Sequence, residues 1–128
     1  MAILSSIPVL NCQSIEDTLA FYQQLLQFVV VNKREENGKL CWVHIMHSDT
    51  TLMLQSDRSQ NTHSIPATKS NIALYFFVNN IAELHHLIKA KNNKISEIKN
   101  TDYQTQEFSL IDPEGNPVTL GMTMNSKS

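Results

Sequence analysis

The chain has 128 residues, a formal net charge of −2, and 41% hydrophobic against 17% charged residues. That is enough apolar material for one domain, or for two small halves sharing a core. It leaves no basic surface suited to nucleic acid or an anionic membrane.

The opening MAILSSIPVL has no basic region, and its apolar run is too short for a secretory signal or a membrane span, so the expected location is cytoplasmic. Ile3 to Asn11 reads as a first strand. Ser14-Ile15-Glu16-Asp17 is a capping-box pattern, with Ser14 accepting from an early helix amide and Asp17 reaching back. The helix it starts runs to about Leu26 and puts Ile15, Leu19, Tyr22 and Leu26 on one face. Phe28 to Asn32 is β-branched and aromatic, hence a strand. Asn37-Gly38 is a strong two-residue hairpin signal, followed by strands over Leu40–His47 and Thr51–Gln55 with Ser48-Asp49 turning between them. The first half therefore reads β-α-β-β-β. The two cysteines, Cys12 and Cys41, lack CxxC spacing and read as small apolar filler in reducing surroundings.

Residues 56–70, SDRSQNTHSIPATKS, are polar and without periodicity, which suits a linker, a lid or a binding loop. Asp57, Arg58 and His63 lie here, and a solvated loop is favoured over a lid. Beyond it the grammar repeats. Asn71 to Val78 is strand-like. Asn80 with Glu83 caps a helix from about Ile81 to Lys91, whose buried stripe is Leu84, Leu87 and Ile88; Lys89 and Lys91 suit its C-terminal dipole. Asn92-Asn93 can take a left-handed stop, and Lys94 to Ile98 forms a strand. The closing stretch TQEFSLIDPEGNPVTLG is a hairpin. Asp112 can bond the backbone two residues on, Pro113 presets its own φ, and Gly115 supplies a positive φ.

A repeated βαβββ unit has a physical motive, since neither copy alone can bury a curved sheet face. With the opening IPVLNCQSIEDTLAFYQQLLQF (its Phe21-Tyr22 helix above all) and the closing QEFSLIDPEGNPVTL, with Glu107-Phe108 leading to Asp112-Pro113 and Gly115-Asn116, the chain resembles the vicinal oxygen chelate superfamily of glyoxalases, extradiol dioxygenases and bleomycin resistance proteins. The resemblance covers Ser5 to Gly121, and the Asn71–Val78 segment is similar to the drug-binding branch. It implies an α+β fold of two βαβββ modules, about 1–55 and 71–122, joined by the polar loop 56–70 into a single domain of curved mixed sheets with concave cups. It also implies a homodimer; in some members the first strand is exchanged between protomers.

In the metal-dependent members, His or Glu ligands come from four cup-facing strand positions. The resemblance places Ile7, Met53, Asn71 and Thr119 there. A divalent zinc, nickel or iron ion needs imidazole, carboxylate or thiolate at about 2 Å from three or four directions, so no metal and no cofactor is expected. Strand alternation outward from those positions puts Trp42, His44 and Met46 in the cup. It adds Thr51, Met53 and Gln55, then Ala73, Tyr75 and Phe77, then Glu107, Ser109 and Ile111. Aromatic walls with adaptable methionines suit a planar, partly apolar small molecule; an ordinary filled core is the alternative.

Of five histidines, His85 and His86 read as solvated on the helix, His47 borders a turn, and His63 is in the loop. His44 stands with Trp42. It is a satisfied core imidazole, a hydrogen-bonding group for a ligand, or one half of an acid–base couple with Glu107. The expected function is metal-independent binding or sequestration of a small molecule, an antibiotic among the candidates, of the bleomycin-resistance type. Trp42, His44, Met53 and Gln55, with Asn71, Tyr75, Phe77 and Ser109, are the ligand-binding candidates, and His44 and Glu107 the only catalytic ones. A glyoxalase-like lyase or isomerase with an unusual or absent metal shell is the alternative.

Overall fold

The computed structural model describes residues 2–56 and 72–124. The chain divides into two compact units, 1–70 and 71–128. The first contains β1 (Val9–Cys12), α1 (Ile15–Leu26), β2 (Val29–Glu36), β3 (Lys39–His47) and β4 (Thr50–Ser56), and its sheet order is β1-β4-β3-β2. The second contains β5 (Leu74–Phe77), α2 (Ile81–Lys91), β6 (Lys99–Asn100), β7 (Thr105–Ile111) and β8 (Pro117–Thr123), in the order β5-β8-β7-β6. In each sheet the first strand runs parallel to the last, and the other neighbours are antiparallel. This is the expected α+β fold with a repeated βαβββ topology. No helix among the described residues is long and apolar enough to cross a membrane.

Local chemistry accounts for most of these elements. Ser14 is extended and its Oγ accepts from the Asp17 amide at 3.3 Å, so the cap forms as expected. Gln27 closes α1 in the left-handed region, its N–H donating to the Gln23 carbonyl while the Phe28 N–H reaches that of Tyr22. The buried face of α1 carries Ile15, Thr18, Phe21 and Tyr22, while Leu19 and Leu26 are only half-buried. Tyr22 meets Phe21 and Phe28 edge-on at 5.0 and 5.7 Å between ring centres. Asn37 and Gly38 both adopt positive φ, 53° and 76°, the conformation their hairpin requires. Cys12 and Cys41 are both buried, and neither forms a disulfide among the described residues.

The second module departs from expectation at four places. Asn80 itself sits at φ 52° and makes no side-chain cap bond, because a residue in that conformation cannot turn its amide oxygen onto the first helical N–H groups. Asn92 ends α2 in an extended conformation, φ −148°, rather than a left-handed one. The stripe of α2 buries Ile81, His85 and Ile88, with Leu87 at 49% exposure. His85 is thus buried, not solvated: its Nε2 donates to the Ser96 carbonyl at 2.9 Å and its ring meets Phe108 edge-on at 4.8 Å. Finally, Lys94 to Ile98 is not a strand, and regular pairing is confined to Lys99–Asn100. Ser96 explains this, since its Oγ accepts from the Ser109 amide at 2.8 Å while its own N–H donates to the Ser109 carbonyl. A side chain has taken the place of a ladder carbonyl. In the first module, β1 begins only at Val9, not Ile3.

The β7–β8 hairpin is closed by Asp112. Its Oδ1 accepts from the Glu114 and Asn116 amides, and its Oδ2 from Asn116 Nδ2, each at 2.9 Å. Gly115 sits at φ 90° as required. Asp112 and Asn116 are 3% and 4% exposed, so these donors would lack water if the carboxylate were removed. Asp112→Ala is expected to destabilise the protein by about 3 kcal/mol. A urea midpoint unchanged from the parent would show that the clasp is dispensable.

Candidate functional site

Register decides which side chains share a face. In the first module Cys41, Val43, Ile45, Leu52 and Leu54 form the buried side of β3 and β4. Their alternates form the opposite face: Trp42 pairs with Gln55, His44 with Met53, and Met46 with Thr51. From β1, Val9 lies beside Met53 and Asn11 beside Gln55. Gln55 Nε2 donates to Asn11 Oδ1 at 2.7 Å, so this amide is already oriented. Trp42 and His44 are both half-buried, with ring centres 6.3 Å apart. His44 Nε2 is a buried polar atom without a hydrogen-bond partner among the described residues.

Sequence reasoning missed Arg34. Counting back from the Asn37-Gly38 turn would place it opposite Cys41, but a bulge between Arg34 and Glu35 slips the pairing and sets Arg34 opposite Trp42. Its guanidinium lies 5.8 Å from the centre of the Trp42 ring.

In the second module Tyr75 pairs with Thr119 and Phe77 with Gly121. Ser109 also pairs with Thr119, Glu107 with Gly121, and Lys99 with Glu107. The Ser109 and Thr119 hydroxyls are 2.8 Å apart and bond each other. Glu107 Oε2 accepts three hydroxyls, from Tyr75 at 2.6 Å, Tyr103 at 2.9 Å and Thr105 at 3.0 Å. Tyr103, in the turn before β7, is a second residue that periodicity did not reveal. Gly121 makes this geometry possible, because a Cβ there would collide with the Tyr75 ring and hydroxyl. Tyr75 and Phe77 have ring centres 5.0 Å apart.

Electrostatics follow from these bonds. The Tyr75 hydroxyl holds the Glu107 carboxyl below its ordinary value against the opposing effect of desolvation, with help from Tyr103 and Thr105. Desolvation and then the Glu107 bond push the Tyr75 phenol up, and the Glu107 bond chiefly pushes up that of Tyr103.

The other candidates are scattered. Ile7 is half-buried just ahead of β1, and Ala73 and Ile111 are exposed. His47 and His86 are exposed. Asn71, Asp57, Arg58 and His63 lie outside the described residues. Among the described residues, Glu107 is held by the hydroxyls of Tyr75, Tyr103 and Thr105. Among the described residues, the side chains do not fit the metal that enzymes of this fold use. Met53 offers a soft thioether between Val9 and His44, the Thr119 hydroxyl is engaged by Ser109, and no group of three or more His, Cys, Asp or Glu side chains gathers among the described residues.

Because its folded pKa is lowered, Glu107 contributes stability above its unfolded pKa, and this fades as pH falls through the folded value. The raised phenols contribute below the ordinary tyrosine pKa and lose that contribution as pH rises through their folded values. Exposure keeps these amounts small. In Glu107→Gln, both phenols should titrate closer to an ordinary tyrosine, read from the 13Cζ resonances of Tyr75 and Tyr103. Gly121→Ala should lower the Tyr75 titration by displacing its ring, with a stability loss of no more than about 1 kcal/mol because the exposed ring can swing aside. Unchanged Tyr75 titration in both variants would show that the hydroxyl–carboxylate cluster does not form.

The model of the Glyoxalase/Bleomycin resistance protein/Dioxygenase superfamily matches residues 6–120. No curated protein sequence matches the chain. Among solved structures, the chain is similar to TioX from Micromonospora sp. ML1, with a TM-score of 0.78 at 12% identity over 93% of this chain and 99% of that one. It is also similar to TnmS3, an antibiotic binding protein from Streptomyces sp. CB03234, with a TM-score of 0.72 at 16% identity over 96% and 99% of the two chains. Lactoylglutathione lyase from Agrobacterium tumefaciens gives 0.70 at 16% identity over 94% and 95%. Likeness at such identities speaks for the fold alone. The family model spans both modules, and the chain belongs to the glyoxalase/bleomycin resistance protein/dioxygenase superfamily.

Proposed function

We propose that the protein binds planar, partly apolar small molecules without a metal, antibiotics among them, and sequesters rather than transforms them. The observation that carries this reading is the exposure of large rings on a sheet face. Tyr75 is 40% and Phe77 74% exposed, side by side, where a folded protein gains nothing by leaving them in water. Stacking on a flat ring would bury them. In the first module Trp42 offers a further ring surface, Met53 an adaptable thioether, and Gln55 an amide held by Asn11. His44 Nε2 is a polar group whose partner a ligand would supply. Ser109 and Asn71 complete the polar selection. TnmS3, a protein of the same fold, is an antibiotic binding protein. The poor fit of the side chains to a metal argues in the same direction.

In this reading the two modules, about 1–55 and 71–122, make one domain joined through the polar segment 56–70, and two copies of the chain form a homodimer. The outer strand β2 exposes Val29, Val30 and Val31 at 61%, 39% and 51%, an apolar edge that a second copy would cover. Light scattering should return twice the chain mass at micromolar concentration.

Trp42 is the only tryptophan, so its fluorescence reports directly on stacking. Flat heteroaromatic compounds should quench it saturably. Trp42→Ala, followed by calorimetry, should bind about tenfold more weakly; equal affinity for parent and variant would remove Trp42 from the site. A glyoxalase-like lyase or isomerase is the second reading, favoured by the buried, unpartnered His44 Nε2, which a substrate would engage. Stoichiometric zinc, nickel or iron retained by the purified protein through chelation would support it over sequestration.

A further inference from the structure

The hydrogen bonds around Glu107 are one-sided. Three hydroxyls from Tyr75, Tyr103 and Thr105 converge on Oε2, which is as many donors as one carboxylate oxygen comfortably accepts. Among the described residues, none reaches Oε1. Hydroxyls neutralise no charge, so the cluster keeps its full negative unit. Lys99 is paired with Glu107 in register and lowers its pKa at a distance, but forms no ion pair with it among the described residues.

Around this anion stand three exposed rings, Tyr75, Phe77 and Tyr103, at 40%, 74% and 63% exposure. A fixed carboxylate beside aromatic faces matches a cation in two ways at once: an ion pair to the oxygen and attraction to the ring quadrupoles. It opposes an anion. A divalent metal is poorly served, because one carboxylate oxygen and neutral phenols that resist ionisation do not make a shell of oxygen ligands. A guanidinium or amidinium gains most from both carboxylate oxygens together, and Oε2 is already occupied. A point donor remains.

We propose that Glu107 Oε1 is a recognition point for a protonated amine, with the rings of Tyr75, Phe77 and Tyr103 flanking it. This rests on the small-molecule-binding reading and names the chemistry at one end of the ligand: an ammonium group carried next to an apolar or aromatic body. The three hydroxyls act as positioning groups. They hold the carboxylate in one orientation before the ligand arrives, so little freedom is lost on binding.

The test compares benzylammonium with its neutral counterpart benzyl alcohol on the full chain near neutral pH, following the 13Cδ resonance of Glu107 and 13Cζ of Tyr75. Benzylammonium should bind about fivefold more tightly than the alcohol, and the preference should shrink as salt is raised. Glu107→Gln keeps an oxygen for the hydroxyls to bond and should bind the two probes equally. Tyr75→Phe, which frees the carboxylate without removing its charge, should retain part of the preference. Equal affinity of the two probes for the parent, or a preference that survives Glu107→Gln undiminished, overturns the proposal. If flat heteroaromatic compounds quench Trp42 while the ammonium preference is missing, the binding function stands and only this recognition point falls. An ammonium preference without any heteroaromatic binding upholds the recognition point and removes the stacking surface instead.

Discussion

The candidate site in the second module depends on the Asp112 carboxylate. By accepting two backbone amides and a side-chain amide in a buried turn, it sets where β8 begins relative to the end of β7. Everything downstream is a matter of parity. With Ile111 opposite Pro117, Ser109 falls opposite Thr119 and Glu107 opposite Gly121. A slip of one residue would send Phe108 and Leu110 to the open face and bury Glu107. The clasp works because both carboxylate oxygens are used and water is kept out, so the alternative registers leave amides unpaired.

The two sheets share a topology yet carry different chemistry on the faces their helices leave free. In the first, the polar groups are neutral or cationic: Asn11, Gln55 and His44, with Arg34 beside Trp42. In the second, they converge on one carboxylate. Among the described residues, neither face assembles the set of anionic and imidazole ligands a divalent ion requires. Both combine aromatic surface with oriented donors and acceptors, which is how a site holds a molecule by contact. Membership of a superfamily that includes lyases and dioxygenases therefore does not by itself carry their chemistry to this chain.

The helices show where local pattern and tertiary packing part. In α1, Ser14, Ile15 and Tyr22 behave as their spacing predicts, because the cap and the apolar stripe point the same way. In α2, Leu84 and Leu87 look like core and His85 like surface, yet His85 is the buried one. Its ring finds a carbonyl at Ser96 and an edge contact with Phe108, residues 11 and 23 positions further on, and such partners leave no mark in the helix's own sequence. Ser96 then breaks the strand that Lys94 to Ile98 suggested, since its side chain supplies the acceptor that a ladder would have taken from the backbone.

The amino-acid sequence by itself determined the repeated βαβββ order, the hairpin turns and the alternation that separates Trp42, His44, Tyr75 and Glu107 from the core, because these rest on short-range rules of turn geometry and two-residue period. Only the tertiary structure decided that Arg34 lies over Trp42, through a bulge no local signal announces. It alone brought Tyr103, Tyr75 and Thr105 onto one oxygen of Glu107 over the space Gly121 leaves open. Those arrangements join residues far apart in the chain through exact register and the absence of a single Cβ, and distance in sequence hides both.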